Sequence, residues 1–163
     1  MHILIKNNYL VFNNYKLKCA VGKRGIGKKL KEGDLITPKG VFKIKLILYR
    51  KDRIKKLVTN IKKLPIKKNM GWCDDSKDKY YNKLIRIPFK SNYEKLYRRD
   101  NLYDIILVLN YNFSPIKKNK GSAIFIHISK KNYKKTKGCI AIKKRGMIKL
   151  IKDLKVNTRV KIN

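Results

Sequence analysis

Val41-Phe42-Lys43-Ile44-Lys45-Leu46-Ile47-Leu48-Tyr49, VFKIKLILY, places Phe42, Ile44, Leu46 and Leu48 at alternate positions, with Lys43 and Lys45 between them. Successive side chains of a strand point to opposite faces, so this period of two predicts a half-buried strand. Upstream, HILIK (2–6), YLVF (9–12) and YKLKCAV (15–21) read as short strands separated by Asn7-Asn8 and Asn13-Asn14, pairs suited to tight turns; together they make a meander. Downstream, LIRIP (84–88) is strand-like and DIILVLNY (104–111) suits a central strand buried on both faces. GSAIFIHIS (121–129) is another buried strand with His127 near its end, and TRVKI (158–162) returns to strand with Val160 and Ile162 inward.

Two stretches read as helix. Ser91 or Asn92 is placed to cap a short helix in SNYEKLYRRDNLYD (91–104), and Met147, Leu150, Ile151 and Leu154 fall on one face over residues 146–154. Residues 22–40 concentrate glycine with Asp34 and Pro38, which predicts a loop with several positive-φ or fixed-φ positions. Residues 50–83 carry no clear period beyond a few apolar positions around Leu57 and Ile61. At 163 residues, with no linker or repeat, the chain is expected to form one domain over residues 1–163.

Lysine and arginine number 44 against 10 acidic residues, a formal charge of +34 that attracts polyanions such as nucleic acid without reading their sequence. The lysines are dispersed over strands, turns and helix faces, and Asn and Ile are plentiful as well, the pattern of compositional drift. A non-enzymatic polyanion-binding module remains the rival to any catalytic reading. Cys19, Cys73 and Cys139 show no metal-ligand spacing, and their odd number leaves at least one thiol free. MHILIKNNYLVF lacks the features of a secretory signal. The longest purely aliphatic run, Ile105 to Leu109, falls far short of the roughly 20 residues a membrane helix needs.

His127 precedes Cys139 by twelve residues. A thiol is only about 3% ionised at neutral pH, so a nucleophilic cysteine needs a partner that takes its proton, and an imidazole within reach does so. Gly138 leaves the backbone before the sulfur unencumbered, so amides at this turn could serve an oxyanion. The plainer alternative is a small buried hydrophobe beside a structural histidine.

The ordered set GSAIFIHI and TKGCIAI resembles the His and [Ser/Thr]-x-Gly-Cys motifs of the YkuD-type L,D-transpeptidase catalytic domain, enzymes that remodel bacterial peptidoglycan. KEGDLITPKGVFKI, GWCDDSKDKYYN and LYDIILVLNYN resemble three further stretches of the same family, in the same order. The resemblance implies Cys139 as nucleophile and His127 as its acid/base partner, with Gly138 and the Cys139 amide as the oxyanion hole. Thr136 takes the motif's hydroxyl position. Ser122, Trp72 and Asp74 are candidate pocket residues, with packing an equal alternative for Trp72 and turn capping for Asp74 and Asp75. Cys19 and Cys73 are expected to be structural.

Further implications are a mainly antiparallel β-sandwich or flattened barrel with one or two short helices, no metal and no cofactor. The partners implied are peptidoglycan stem peptides as acyl donor and acceptor, and β-lactams of the carbapenem type as covalent inhibitors. The reaction is L,D-cross-linking through a cysteine thioester, or L,D-carboxypeptidase action where water is the acceptor. The cell envelope is the implied location. Ala141 stands where many family members carry arginine two residues after the cysteine, so any carboxylate-binding task of that arginine falls to another residue.

Overall fold

A computed structural model describes residues 2–163. The expected meander is present as β1 (His2–Lys6), β2 (Tyr9–Phe12) and β3 (Tyr15–Ala20). Asn7 and Asn8 have φ of 51° and 60°, the left-handed pair that a two-residue hairpin turn needs and that asparagine tolerates. Residues 22–40 are largely loop around a small parallel pair, β4 (Ile26–Gly27) and β5 (Thr37–Pro38).

The stretch VFKIKLILY lies in β6 (Gly40–Tyr49), which is followed by β7 (Lys63–Pro65), β8 (Met70–Cys73), β9 (Leu84–Arg86) and β10 (Tyr93–Lys95). Then come β11 (Ile105–Leu109), β12 (Phe125–Ile128), β13 (Ile140–Ile142), α1 (Lys144–Asp153) and β14 (Arg159–Ile162). Helix α1 buries Met147, Leu150 and Ile151 as the helical period predicts.

Eight strands close into a barrel in the order β6-β11-β12-β13-β3-β2-β1-β14, because β6 pairs with both β11 and β14. The mainly β fold with one α-helix is as expected, and of the two architectures expected it is the barrel rather than the sandwich; the barrel is closed and mixed rather than antiparallel throughout, with β1–β14 and β12–β13 parallel. β14 inserts between β1 and β6 and satisfies two edges that an open sheet would leave unpaired. Parallel neighbours cannot be joined by a tight hairpin, so the chain between β12 and β13 crosses over through residues 129–139. That crossing carries the Thr136-Lys137-Gly138 turn.

The barrel is filled by aliphatic side chains, among them Ile5, Leu10, Leu107, Ile126, Ile140 and Val160, all fully buried. β11 is buried on both faces as expected: Ile105, Leu107 and Leu109 point in, while Ile106 and Val108 join a second cluster outside the barrel. That second cluster lies beneath an antiparallel sheet of β10, β8 and β9, which contributes Trp72, and includes Leu96 just after β10.

β6 departs from simple alternation. Val108 pairs with Leu46 but Leu109 pairs with Ile44, so Lys45 is an extra residue bulged out of the ladder. The bulge flips the parity. Phe42 and Ile44 face the interior cluster, whereas Leu46 and Leu48 face the outer one and Ile47 takes their place inside. The four residues expected on one face are therefore divided between two cores.

The helix expected after Ser91 or Asn92 is also overturned, because residues 93–95 pair with β8 as strand β10. Arginine side chains then take the backbone carbonyls that a helical turn would use. Arg50 Nη1 donates to the Arg98 carbonyl at 2.6 Å, and Arg53 donates to the carbonyls of Arg99 at 2.9 Å and Asp100 at 2.7 Å.

Candidate active site

The register of β12 and β13 sets the site. His127 stands opposite Ala141, and Ile126 and Ile128 stand opposite Ile140 and Ile142. The isoleucines fill the barrel, so alternation sends Phe125, His127, Cys139 and Ala141 to its outer face. His127 and Cys139 are thus diagonal neighbours on one face. Both line one cleft of about 410 Å³ at the seam between the barrel and the three-stranded sheet. Cys139 is partly exposed and His127 is buried at the cleft's inner wall.

The imidazole is oriented from behind. Its Nδ1 lies 2.9 Å from the Ile128 carbonyl, which can only accept, so Nδ1 carries the proton and Nε2 holds the free lone pair. Tyr103 packs edge-on against the ring, with centroids 5.4 Å apart. The Cys139 sulfur donates to the Ala123 carbonyl at 3.0 Å and receives the Phe125 amide at 3.5 Å. Burial pushes the thiol up to about 12, with the Glu94 carboxylate adding to the effect, and burial lowers His127 to about 4. Both shifts favour the neutral thiol and the neutral imidazole at pH 7.

The turn before the sulfur is clamped from two sides. Thr136 Oγ1 donates to the Cys139 carbonyl at 2.6 Å and accepts the Gly138 amide at 3.1 Å. Thr37 Oγ1 donates to the Gly138 carbonyl at 2.9 Å and accepts the Gly22 amide at 2.8 Å. Carbonyl and amide point oppositely across a trans peptide, so Thr37 turns the Cys139 N–H away from itself. The Gly138 N–H is engaged by Thr136, and among the described residues the Cys139 N–H has no partner. Of the two expected oxyanion donors, the Cys139 amide is the free one.

Gly138 has φ of 138°, and a Cβ there would lie 3.0 Å from the Ile36 carbonyl. Beneath it sits a buried ion pair, Lys29 Nζ to Asp34 Oδ1 at 2.6 Å. Burial opposes ionisation of Asp34, but the Lys29 ammonium and the Leu30, Ile36 and Lys31 amides outweigh it and hold the carboxyl at about 2. The KEGDLITPKG stretch thus supports the Gly138-Cys139 turn.

Trp72 and Ser122 are buried behind the cleft rather than along it. Trp72 packs edge-on against Phe125 with centroids 5.3 Å apart, and its Nε1 donates to Asn82 Oδ1 at 3.0 Å. The same Oδ1 accepts the Ala123 amide at 3.0 Å, while Asn82 Nδ2 donates to the carbonyls of Tyr111 and Asn112. Asn82 therefore fixes the residue whose carbonyl accepts the thiol hydrogen bond, a role sequence reasoning missed although Asn82 ends the quoted GWCDDSKDKYYN segment.

Asp75 caps a turn by accepting the Lys77 amide at 3.0 Å. Asp74 Oδ1 is buried without a partner, and burial together with Glu32 raises its carboxyl. Cys19 and Cys73 are buried free thiols. The described residues contain no His/Cys/Asp/Glu group fit to hold a metal, and no helix is long and apolar enough to cross a membrane.

The cleft also carries six cations, Lys23, Arg98, Lys130, Lys134, Lys135 and Lys137, with Ala141 among them. A family model for the L,D-transpeptidase catalytic domain matches residues 2–162, essentially the whole chain. No curated protein matches it. With His127 and Cys139 in one cleft and that match spanning barrel and seam alike, the chain belongs to the YkuD L,D-transpeptidase family, which acts on peptidoglycan stem peptides.

Proposed function

We propose that the chain forms L,D-cross-links between peptidoglycan stem peptides through a Cys139 thioester. The observation that carries this reading is the single cleft shared by Cys139 and a His127 whose bare Nε2 is fixed by the Nδ1 bond to Ile128. As donor peptide enters, Nε2 takes the thiol proton and the sulfur attacks the carbonyl on the L-side of the terminal D-residue. The Cys139 amide donates to the developing oxyanion. The C–N bond breaks, the departing D-alanine amine takes the proton from His127, and a thioester remains. A primary amine of a second stem peptide then displaces the sulfur, which recovers a proton from His127. Water in place of that amine gives L,D-carboxypeptidase action.

Carbapenem-type β-lactams acylate the same sulfur under this reading, and nucleic acid binds only non-specifically, with affinity falling steeply as salt rises. The test is intact mass after exposure to a stem tetrapeptide. The expected adduct equals the peptide minus its terminal D-residue, present in the unaltered protein and absent from Cys139→Ala. An unmodified protein, or sequence-selective nucleic-acid binding that survives high salt, overturns it.

A further inference from the structure

Glu94 is the one carboxylate among the residues that line the Cys139 cleft, set against six cations. In β10 it pairs with Trp72, whose ring packs on Phe125, so the Glu94 face of the small sheet looks onto the outer face of the barrel. Tyr103, itself packed on His127, donates its hydroxyl to Glu94 Oε1. Oε2 has no protein partner among the described residues. Burial holds the carboxyl above its ordinary range, and its charge works against ionisation of Cys139. A carboxylate placed there hinders the first half of the reaction, so its position calls for a separate use.

The second half supplies one. The acyl acceptor is a primary amine, which is an ammonium at neutral pH and must both enter a strongly positive cleft and lose a proton before it can attack. We infer that Glu94 is the acceptor-selecting residue: Oε2 binds the incoming ammonium beside the thioester and takes one of its protons. The neutral amine then attacks the thioester carbonyl, an N–C bond forms and the C–S bond breaks. The second amine proton passes through His127 to the departing sulfur, and Glu94 releases its proton to water. Water needs no such anchor, so Glu94 governs the choice between cross-linking and hydrolysis. The inference rests on the thioester reading above.

The experiment uses the full chain, a stem tetrapeptide as donor and a second stem peptide with a free side-chain amine as acceptor, and reads cross-linked product against hydrolysed tripeptide. Glu94→Gln, which keeps an oxygen for Tyr103, is expected to lower that ratio roughly 10–100-fold, the loss of one hydrogen bond to a charged group. Glu94→Asp, which keeps the carboxylate, recovers part of the ratio. An unchanged ratio in Glu94→Gln, a rise only in the donor KM, or an unaltered protein that hydrolyses but never transfers to amine overturns the inference while leaving the thioester reading intact. Absence of any thioester in the unaltered protein removes that reading, and this inference with it.

Discussion

The two faces of the β12–β13 pair divide the labour of the molecule. Inward, Ile126, Ile128, Ile140 and Ile142 are all but completely buried among aliphatic neighbours and contribute stability. Outward, one residue along each strand, stand His127, Cys139 and Ala141, with charged groups across the seam. The polar groups that support them are paired, as the four hydrogen bonds of Asn82 and the double use of Thr37 and Thr136 illustrate. A strand pair packed on its apolar face thus fixes the placement of a thiol and an imidazole on the other.

The comparison breaks most completely at the sulfur. Cys139→Ala is expected to abolish thioester formation while thermal unfolding changes by less than about 1 kcal/mol, since little volume is removed at the cleft. Truncation on the inner face does the reverse. Ile140→Ala costs about 2–5 kcal/mol in denaturant unfolding, with covalent labelling per folded molecule retained.

The pH dependence separates the faces further. The folded-state pKa of His127 is depressed from 6.5 to about 4, so its neutral burial favours folding fully above pH 6.5 and loses ground as pH falls towards 4. Stability is expected to drop by about 3 kcal/mol over that window from this group, and His127→Phe flattens the limb. The Cys139 thiol acts in the opposite sense: raised from 9.0 to about 12, its contribution is complete below pH 9 and declines as pH rises towards 12. Asp34, held at about 2, adds a separate loss only at the acid extreme below its ordinary value of 3.8.

The smallest effect distinguishes the clamp from the chemistry. Thr37→Val leaves the Gly138 carbonyl and the Gly22 amide unpaired in a buried site, a cost of about 1–3 kcal/mol. Thioester formation should slow because the Cys139 amide is no longer aimed. A variant that is destabilised but acylates at the full rate detaches the clamp from the oxyanion.

Local signals in the sequence carried over well. The asparagine pairs marked the meander, the double-sided apolar run marked β11, and the spacing of Met147, Leu150 and Ile151 marked α1, because each depends on neighbours a few residues away. What failed depends on distant partners. Lys45 bulges because of its register against β11, and no property of VFKIKLILY announces it. Residues 93–95 become strand because β8 offers an edge, and the next turn is held open by Arg50 and Arg53, some 45 residues away in sequence. In the site, His127 and Cys139 were legible through their motifs. Thr37, Asn82 and Glu94 act through contacts that only the closed barrel and its covering sheet create.

Peptide mapping of the acyl group after reaction with a stem tetrapeptide at pH 7 probes the central pairing most directly, performed in parallel on the unaltered protein and on His127→Gln. The account predicts acylation confined to Cys139 and a loss of at least about 100-fold in its rate when the imidazole is removed. Acyl groups on Cys19 or Cys73, or full-rate acylation of Cys139 without His127, contradict it.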